Sequence, residues 1–246
     1  MREQTYQLNC IKRMKRIFSV VIMLTAFLTS ISQPVYELRK GDPNGIGKWY
    51  MGRQIAHVMS HYGIQWLERS ERQEEEDTEQ LMKNLRLKPG MWIADIGAGS
   101  GYHSVRMAKR VGNNGKVFAV DVEQEMIRFM DERINKAKIT NIKTVQSSEQ
   151  DIPLEIGTID IILMVDVYHE FSYPYEMGRS LHRILKSDGR VYLVEFRAED
   201  ASVPIKAVHK MSESQAVKEM KAAGFELETN IDNLPWQHCL VFRKKK

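Results

Sequence analysis

The segment of this 246-residue chain most suited to holding a ligand is Asp95-Ile96-Gly97-Ala98-Gly99-Ser100-Gly101-Tyr102. Glycines let a backbone turn sharply, and without a Cβ they let a ligand approach the chain closely. The spacing is Gly-x-Gly-x-Gly, with Tyr102 where a dinucleotide-binding Gly-x-Gly-x-x-Gly would put its last glycine. No Gly-Lys-Ser/Thr ends the segment, so a P-loop is excluded.

A second group able to do chemistry is Asp166-Val167-Tyr168-His169-Glu170-Phe171, directly after an apolar run. His169 is a candidate general base or acceptor-orienting residue, with Glu170 as its partner or as a substrate contact. The competing reading is that His169 caps the next helix or faces water. Glu195, Arg197, Glu199 and Asp200, the loop residues His209, Lys210 and Met211, and Trp236-Gln237-His238 are further pocket candidates. For these, surface loop or strand-edge packing is the preferred reading. His57 and His61 have an i, i+4 spacing, but no His-Glu-x-x-His and no cysteine cluster accompanies them, so no metal is expected. Glu74 to Asp77 reads as a solvated helix start.

These groups need a scaffold, and the pattern around them supplies one. Short apolar strands are predicted at Trp92 to Ile96, Val117 to Val120, Ile142 to Gln146, Ile159 to Val165 and Val191 to Phe196. Helices are predicted at Tyr102 to Val111, Gln124 to Lys138, Pro174 to Leu185 and Ser212 to Ala223, and two strand-like stretches close the chain. Alternating strands and helices imply a doubly wound α/β fold with a mostly parallel sheet and helices on both faces. Ahead of it, 33–50 reads as an extended arm. Gly52 to about Leu87 reads as a helical cap, with Ile55, Val58 and Met59 on one face and Glu71 to Leu85 as a helix. The expected divisions are 1–32, 33–87 and 88–246.

The glycine segment resembles the first motif of class I S-adenosylmethionine (SAM)-dependent methyltransferases. Val117 to Asp121 resembles their second strand, Asp160 to Asp166 their fourth-strand motif, Leu185 to Val191 the turn into the fifth, and Gly224-Phe225 the turn before the closing strands. The resemblance covers about residues 85–246. It implies a seven-stranded sheet, SAM as cofactor and methyl transfer to a small or medium-sized acceptor. It further implies cofactor binding by Asp95, Gly97, Ala98, Gly99, Gly101, Asp121, Glu149 and Asp166. Asp95 would accept from the loop or from the amino end of the methionine part. Asp121, 26 residues on, would accept both ribose hydroxyls. The acid expected to meet adenine falls at Ser148, with Glu149 or Asp151 as substitutes. A sulfonium methyl is already activated, so alignment supplies much of the rate, and a base is needed only where the acceptor must lose a proton.

Residues 1–32 read differently. Lys12, Arg13, Lys15 and Arg16 precede a twelve-residue apolar run, Ile17 to Leu28, and then Ser30 and Ser32. Basic, apolar, small is the order of an export leader, and a periplasmic location follows; the alternative is an anchor through 17–28. Residues 51–87 are similar to those of a group of leader-bearing bacterial proteins of this fold. The chain has 36 basic and 32 acidic residues, but 1–32 holds five bases and one acid, which leaves 31 of each. The basic character thus belongs to the leader, and no nucleic-acid partner is expected. Of the two cysteines, Cys10 lies in the leader and Cys239 would remain as one thiol. A silent binding or sensor protein of the cell envelope is the alternative function, since SAM is a cytosolic metabolite. A nicotinamide-dependent oxidoreductase is disfavoured by Tyr102.

Overall fold

The computed structural model describes residues 36–246; the leader or anchor expected in 1–32 lies outside the described residues. The apolar runs of the sequence become one seven-stranded sheet. Its strands are β4 (Trp92–Ile96), β5 (Lys116–Asp121), β6 (Ile142–Gln146), β7 (Ile159–Val165), β8 (Leu185–Phe196), β9 (Phe225–Asn230) and β10 (Gln237–Lys244). Their order is β6-β5-β4-β7-β8-β10-β9. Neighbours from β6 to β8 pair in parallel, and β10 runs antiparallel to both β8 and β9.

Both faces of the sheet are covered, and side-chain alternation divides the core accordingly. On β7, Ile162 and Met164 pack with Leu181, Ile184, Met220 and Phe225. Ile161 and Leu163 point the other way and pack with Leu81, Leu85, Met107 and Val111. The covering helices on the main sheet are α4 (Tyr102–Val111), α5 (Gln124–Lys136), α6 (Pro174–Ile184) and α7 (Glu213–Ala222). Each fully buried Leu or Ile contributes about 1.5–3 kcal/mol, so this two-sided burial holds the helices against both faces of the sheet.

The segment before the sheet departs from the expected helical cap. A three-stranded antiparallel sheet opens it, made of β1 (Tyr36–Leu38), β2 (Gly45–Tyr50) and β3 (Arg53–Ala56). Residues 53–56 are therefore strand, not helix. The reason is the turn Met51-Gly52, where both φ angles are positive, 50° and 97°. Tyr50 pairs directly with Arg53, so this is a two-residue hairpin turn whose twist suits two strands. Short helices follow: α1 (Ile64–Leu67), α2 (Arg72–Glu76) and α3 (Thr78–Asn84). The single helix expected over 71–85 breaks at Asp77, which takes φ 44° and caps the amide of Gln80 at 3.1 Å. No helix among the described residues is long and apolar enough to cross a membrane.

The architecture sets one edge for function. Ile96, Asp121, Val165 and Phe196 are the carboxyl ends of β4, β5, β7 and β8, and the strand order switches direction between β4 and β7. In open α/β sheets, ligands bind in the crevice at that switch.

Candidate cofactor and acceptor site

A cavity of about 550 Å³ lies at this edge. One wall is the glycine loop. Gly97 and Gly99 take φ 66° and 54° and line the cavity, whereas Asp95, Ala98 and Gly101 sit behind the lining. A Cβ on Gly97 would stand 2.2 Å from Cγ2 of Val167, and one on Gly99 2.7 Å from Cδ1 of Leu67. The loop is thus as close to its neighbours as a backbone without side chains allows. Asp95 accepts from the Ser104 hydroxyl at 2.6 Å, and burial pushes its carboxyl up to about 6.

Asp121 holds the loop from the neighbouring strand. One carboxylate oxygen accepts from the Gly99 amide at 2.9 Å and the other from the Glu123 amide at 3.0 Å. Burial raises the Asp121 carboxyl above its ordinary range, against the pull of those backbone N–H groups. Its oxygens keep lone pairs for hydroxyls arriving from the cavity. Beside it, Ser147, Ser148 and Glu149 line the wall. Asp151 does not line the cavity: it is tied to the Ser180 hydroxyl at 2.6 Å and to Arg183 at 2.7 Å.

Asp166, just past β7, is half-buried and takes φ 50°, a left-handed value that costs a non-glycine residue some strain. Gln237 donates to its Oδ2 at 2.9 Å, while Oδ1 is buried without a partner. Burial, together with Glu76 and Glu195, holds this carboxyl well above the usual carboxylate range. A cationic group brought to Oδ1 would favour the charged carboxylate and satisfy the orphaned oxygen. Arg72 and Glu76 complete this end. They pair at 2.7 Å, and Arg69 also reaches Glu76 at 2.7 Å. Glu76 is thus a buried ion-pair partner and not part of a solvated face, although Glu74 is exposed as expected.

The other end of the cavity is built around His169, which is buried. Its Nδ1 lies 2.6 Å from Glu195, and the same carboxylate accepts the Tyr168 amide at 2.8 Å. This places the ring proton on Nδ1 and turns Nε2 to the cavity. Nε2 is 3.2 Å from Nδ1 of His209. Glu170 Oε1 lies 3.7 Å from the first nitrogen and 3.8 Å from the second. Burial opposes protonation of His169, but Glu195 and Glu170 outweigh it and raise its pKa. Burial, with His169 beside it, pushes His209 down to about 4, and burial pushes Glu170 up to about 7.

The structure therefore brings Gly97, Gly99, Asp121, Glu149, Asp166, His169 and Glu170 to one cavity. Among the further pocket candidates, Glu195 and His209 join His169 and Gln237 joins Asp166; His238 instead pairs with Glu199 at 2.9 Å. Arg72, Glu76 and Ser147 were not legible as site residues, because α2 is too short to show a periodicity and the loop that carries Ser147 has none. His57 and His61 share no helix, and His61 pairs with Glu123 at 2.6 Å.

The residues fit SAM. Gly97 and Gly99 present backbone rather than side chains to the cavity, Asp121 suits the ribose diol of SAM and the orphaned Asp166 Oδ1 its ammonium. The comparisons agree. The profile of the methyltransferase-domain family matches residues 87–240. The ubiquinone/menaquinone biosynthesis C-methyltransferase UbiE of Idiomarina loihiensis is 28% identical over 111 residues, which are 45% of this chain and 44% of that protein. UbiE of Escherichia fergusonii is 27% identical over the same shares. The match thus spans less than half the length of these curated relatives. The crystal structure of a SAM-dependent methyltransferase from Aquifex aeolicus superposes with a TM-score of 0.71 at 28% identity, covering 75% of this chain and 98% of that one. With the glycine loop, Asp121 and this likeness in agreement, the chain belongs to the methyltransferase-domain family, with the class I methyltransferase fold and SAM as its cofactor.

Proposed function

We propose that the protein transfers a methyl group from SAM to a small-molecule acceptor with an apolar body and a protic head. The observation that carries this is the single cavity joining the glycine loop and Asp121 to the His169 cluster. Bound SAM supplies an electrophilic methyl on a sulfonium. The glycine loop, Asp121 and Asp166 orient the cofactor. Phe171, Met177, Phe196 and Ile205 give the acceptor end apolar walls that exclude water. His169 Nε2 takes the proton that the acceptor loses, and Glu195 stabilises the imidazolium that forms.

The relatives named as ubiquinone/menaquinone biosynthesis C-methyltransferases suggest ring-hydroxylated quinone precursors as the first acceptors to try. The test is transfer of labelled methyl from SAM to a panel of quinone precursors, simple phenols and thiols. Label in one class, abolished by His169→Ala, supports the reading. A well-folded chain that binds neither SAM nor its demethylated product sinks it.

We also propose residues 1–32 as an export leader, supported by the basic cluster and apolar run. Amino-terminal sequencing of the chain recovered from a bacterial envelope fraction checks this. A start at Gln33 agrees with it, and an intact amino terminus on cytosolic protein refutes it.

A further inference from the structure

Three side chains at the acceptor end come from two separate segments. His169 and Glu170 lie on the 3-10 turn after β7, and His209 ends the 3-10 turn Ala207–His209 in the loop following β8. One ligand atom from each falls within 4.8 Å of the other two, the one such His/Cys/Asp/Glu group among the described residues. The long loop 197–211 is folded back so that His209 meets the other two.

We propose that His169 Nε2, Glu170 Oε1 and His209 Nδ1 form a binding site for a divalent transition-metal cation, zinc in the first place.

The distances fit. Two nitrogens bound to zinc at its usual bond length and tetrahedral angle stand about 3.3 Å apart. His169 Nε2 and His209 Nδ1 stand 3.2 Å apart, and their rings cross at 85°, so the ring faces do not stack between them. Glu170 Oε1, at 3.7 and 3.8 Å from the two nitrogens, needs to close by only about 0.4 Å to reach the same edge length.

The surroundings fit as well. A metal-bound histidine usually donates its other N–H to a carboxylate, which fixes the tautomer and strengthens the ligand. His169 does this to Glu195 at 2.6 Å. The second Glu170 oxygen accepts the Met59 amide at 3.2 Å, which leaves the first free for the cation. Arg53 donates to the His169 carbonyl at 2.9 Å and holds the turn. Two histidines and a glutamate are a known zinc set that leaves a position open, and two histidines with one carboxylate also suit ferrous iron. The open position faces the cavity that Phe171 and Ile205 line. There the cation would take the oxygen or sulfur of an acceptor and lower its pKa; with Nε2 then bound to the cation and no longer the base, the proton would leave to water. That use rests on the methyl-transfer reading; the binding of the cation does not.

The experiment uses the full chain, stripped of metal with a chelator. Cobalt(II) is titrated in and followed by its visible absorption, then displaced with zinc. SAM-product binding is measured on the same sample by calorimetry. The expected result is one equivalent of four- or five-coordinate cobalt. Affinity should fall at least tenfold in His209→Ala and Glu170→Gln, and roughly 10- to 100-fold in Glu195→Gln, which touches no metal. His209 is partly exposed on a loop, so its variant should keep the fold, and retained product binding verifies that. Cobalt binding by a chain that cannot bind the SAM product supports the metal site and removes the methyl-transfer reading. No cobalt binding by a chain that binds the product normally overturns the metal site alone. So does cobalt binding unchanged in both His209→Ala and Glu170→Gln.

Discussion

The Gly99 amide donates to the Asp121 carboxylate at 2.9 Å, so the end of β5 clamps the loop that leaves β4. The acid expected to meet the ribose therefore also shapes the cradle beneath it. Removing it attacks both functions. Asp121→Ala should weaken SAM binding by about 1.5–3 kcal/mol, the scale of lost hydrogen bonds to a charged group. Calorimetric titration with SAM and its demethylated product measures this. A change below about 0.5 kcal/mol would show that the carboxylate serves the loop alone.

Gly97 faces Val167 across the switch point, and its substitution separates strain from crowding. An alanine Cβ there would meet Val167 Cγ2 at 2.2 Å on a backbone at φ 66°. Gly97→Ala should lower stability by about 2–4 kcal/mol in urea unfolding, from overpacking and the left-handed conformation together. Val167→Ala removes the 2.2 Å contact but leaves its own Cβ at 2.9 Å, so rescue should be partial. A coupling of about 1 kcal/mol in the double variant is expected. Strict additivity would mean that the loop moves away from Val167 at no cost.

The parallel sheet and the glycine loop were legible because they are local. The strands at 92–96 and 159–165 are apolar runs that no solvated element tolerates, and Gly97 to Gly101 needs no partner to be recognised. The hairpin at Met51-Gly52 was misread because Ile55, Val58 and Met59 mimic a helical face, and only the positive φ of Met51 reveals the turn. His169 and Glu170 could be picked from their place at a strand end. Their meeting with Glu195 and His209 spans 26 and 40 residues and depends on how loop 197–211 folds back, which no periodicity encodes. The same holds for Glu76, whose acidic run looks solvated until Arg69 and Arg72 are found against it.

Asp95 should make stability depend on pH in a direction opposite to most carboxylates. Burial outweighs the Ser104 hydroxyl and Arg72, with Asp121 adding repulsion, and lifts its pKa from an ordinary 3.8 to about 6. A raised folded-state pKa means that its contribution is complete below about pH 3.8 and is lost as pH rises through about 6. The full interval is worth about 3 kcal/mol, and about 2 kcal/mol of it falls between about pH 4.5 and 7.5. Asp95→Asn keeps an acceptor for Ser104 and cannot ionise. Relative to wild type, it should therefore gain about 2 kcal/mol between about pH 4.5 and 7.5 in urea unfolding. An unchanged difference across that range would show that Asp95 stays charged throughout.

Arg53 joins the amino-terminal sheet to both the last helix and the acceptor turn. Its Nε and Nη2 donate to the two Glu219 oxygens at 2.8 and 3.0 Å, and its Nη1 donates to the His169 carbonyl at 2.9 Å. Both members of the ion pair are nearly fully buried. Arg53→Met leaves Glu219 charged and unpaired in the interior, which should cost about 3–5 kcal/mol. Pairing it with Glu219→Leu removes the stranded charge, so the double variant should recover most of that loss. If recovery is complete and methyl transfer still falls, the remaining defect belongs to the His169 carbonyl, whose donor neither substitution restores. Urea unfolding and turnover on the same three proteins separate the two roles. Stability lost equally in the single and double variants would mean that the packing of the Arg53 stem, not its charge, carries the contact.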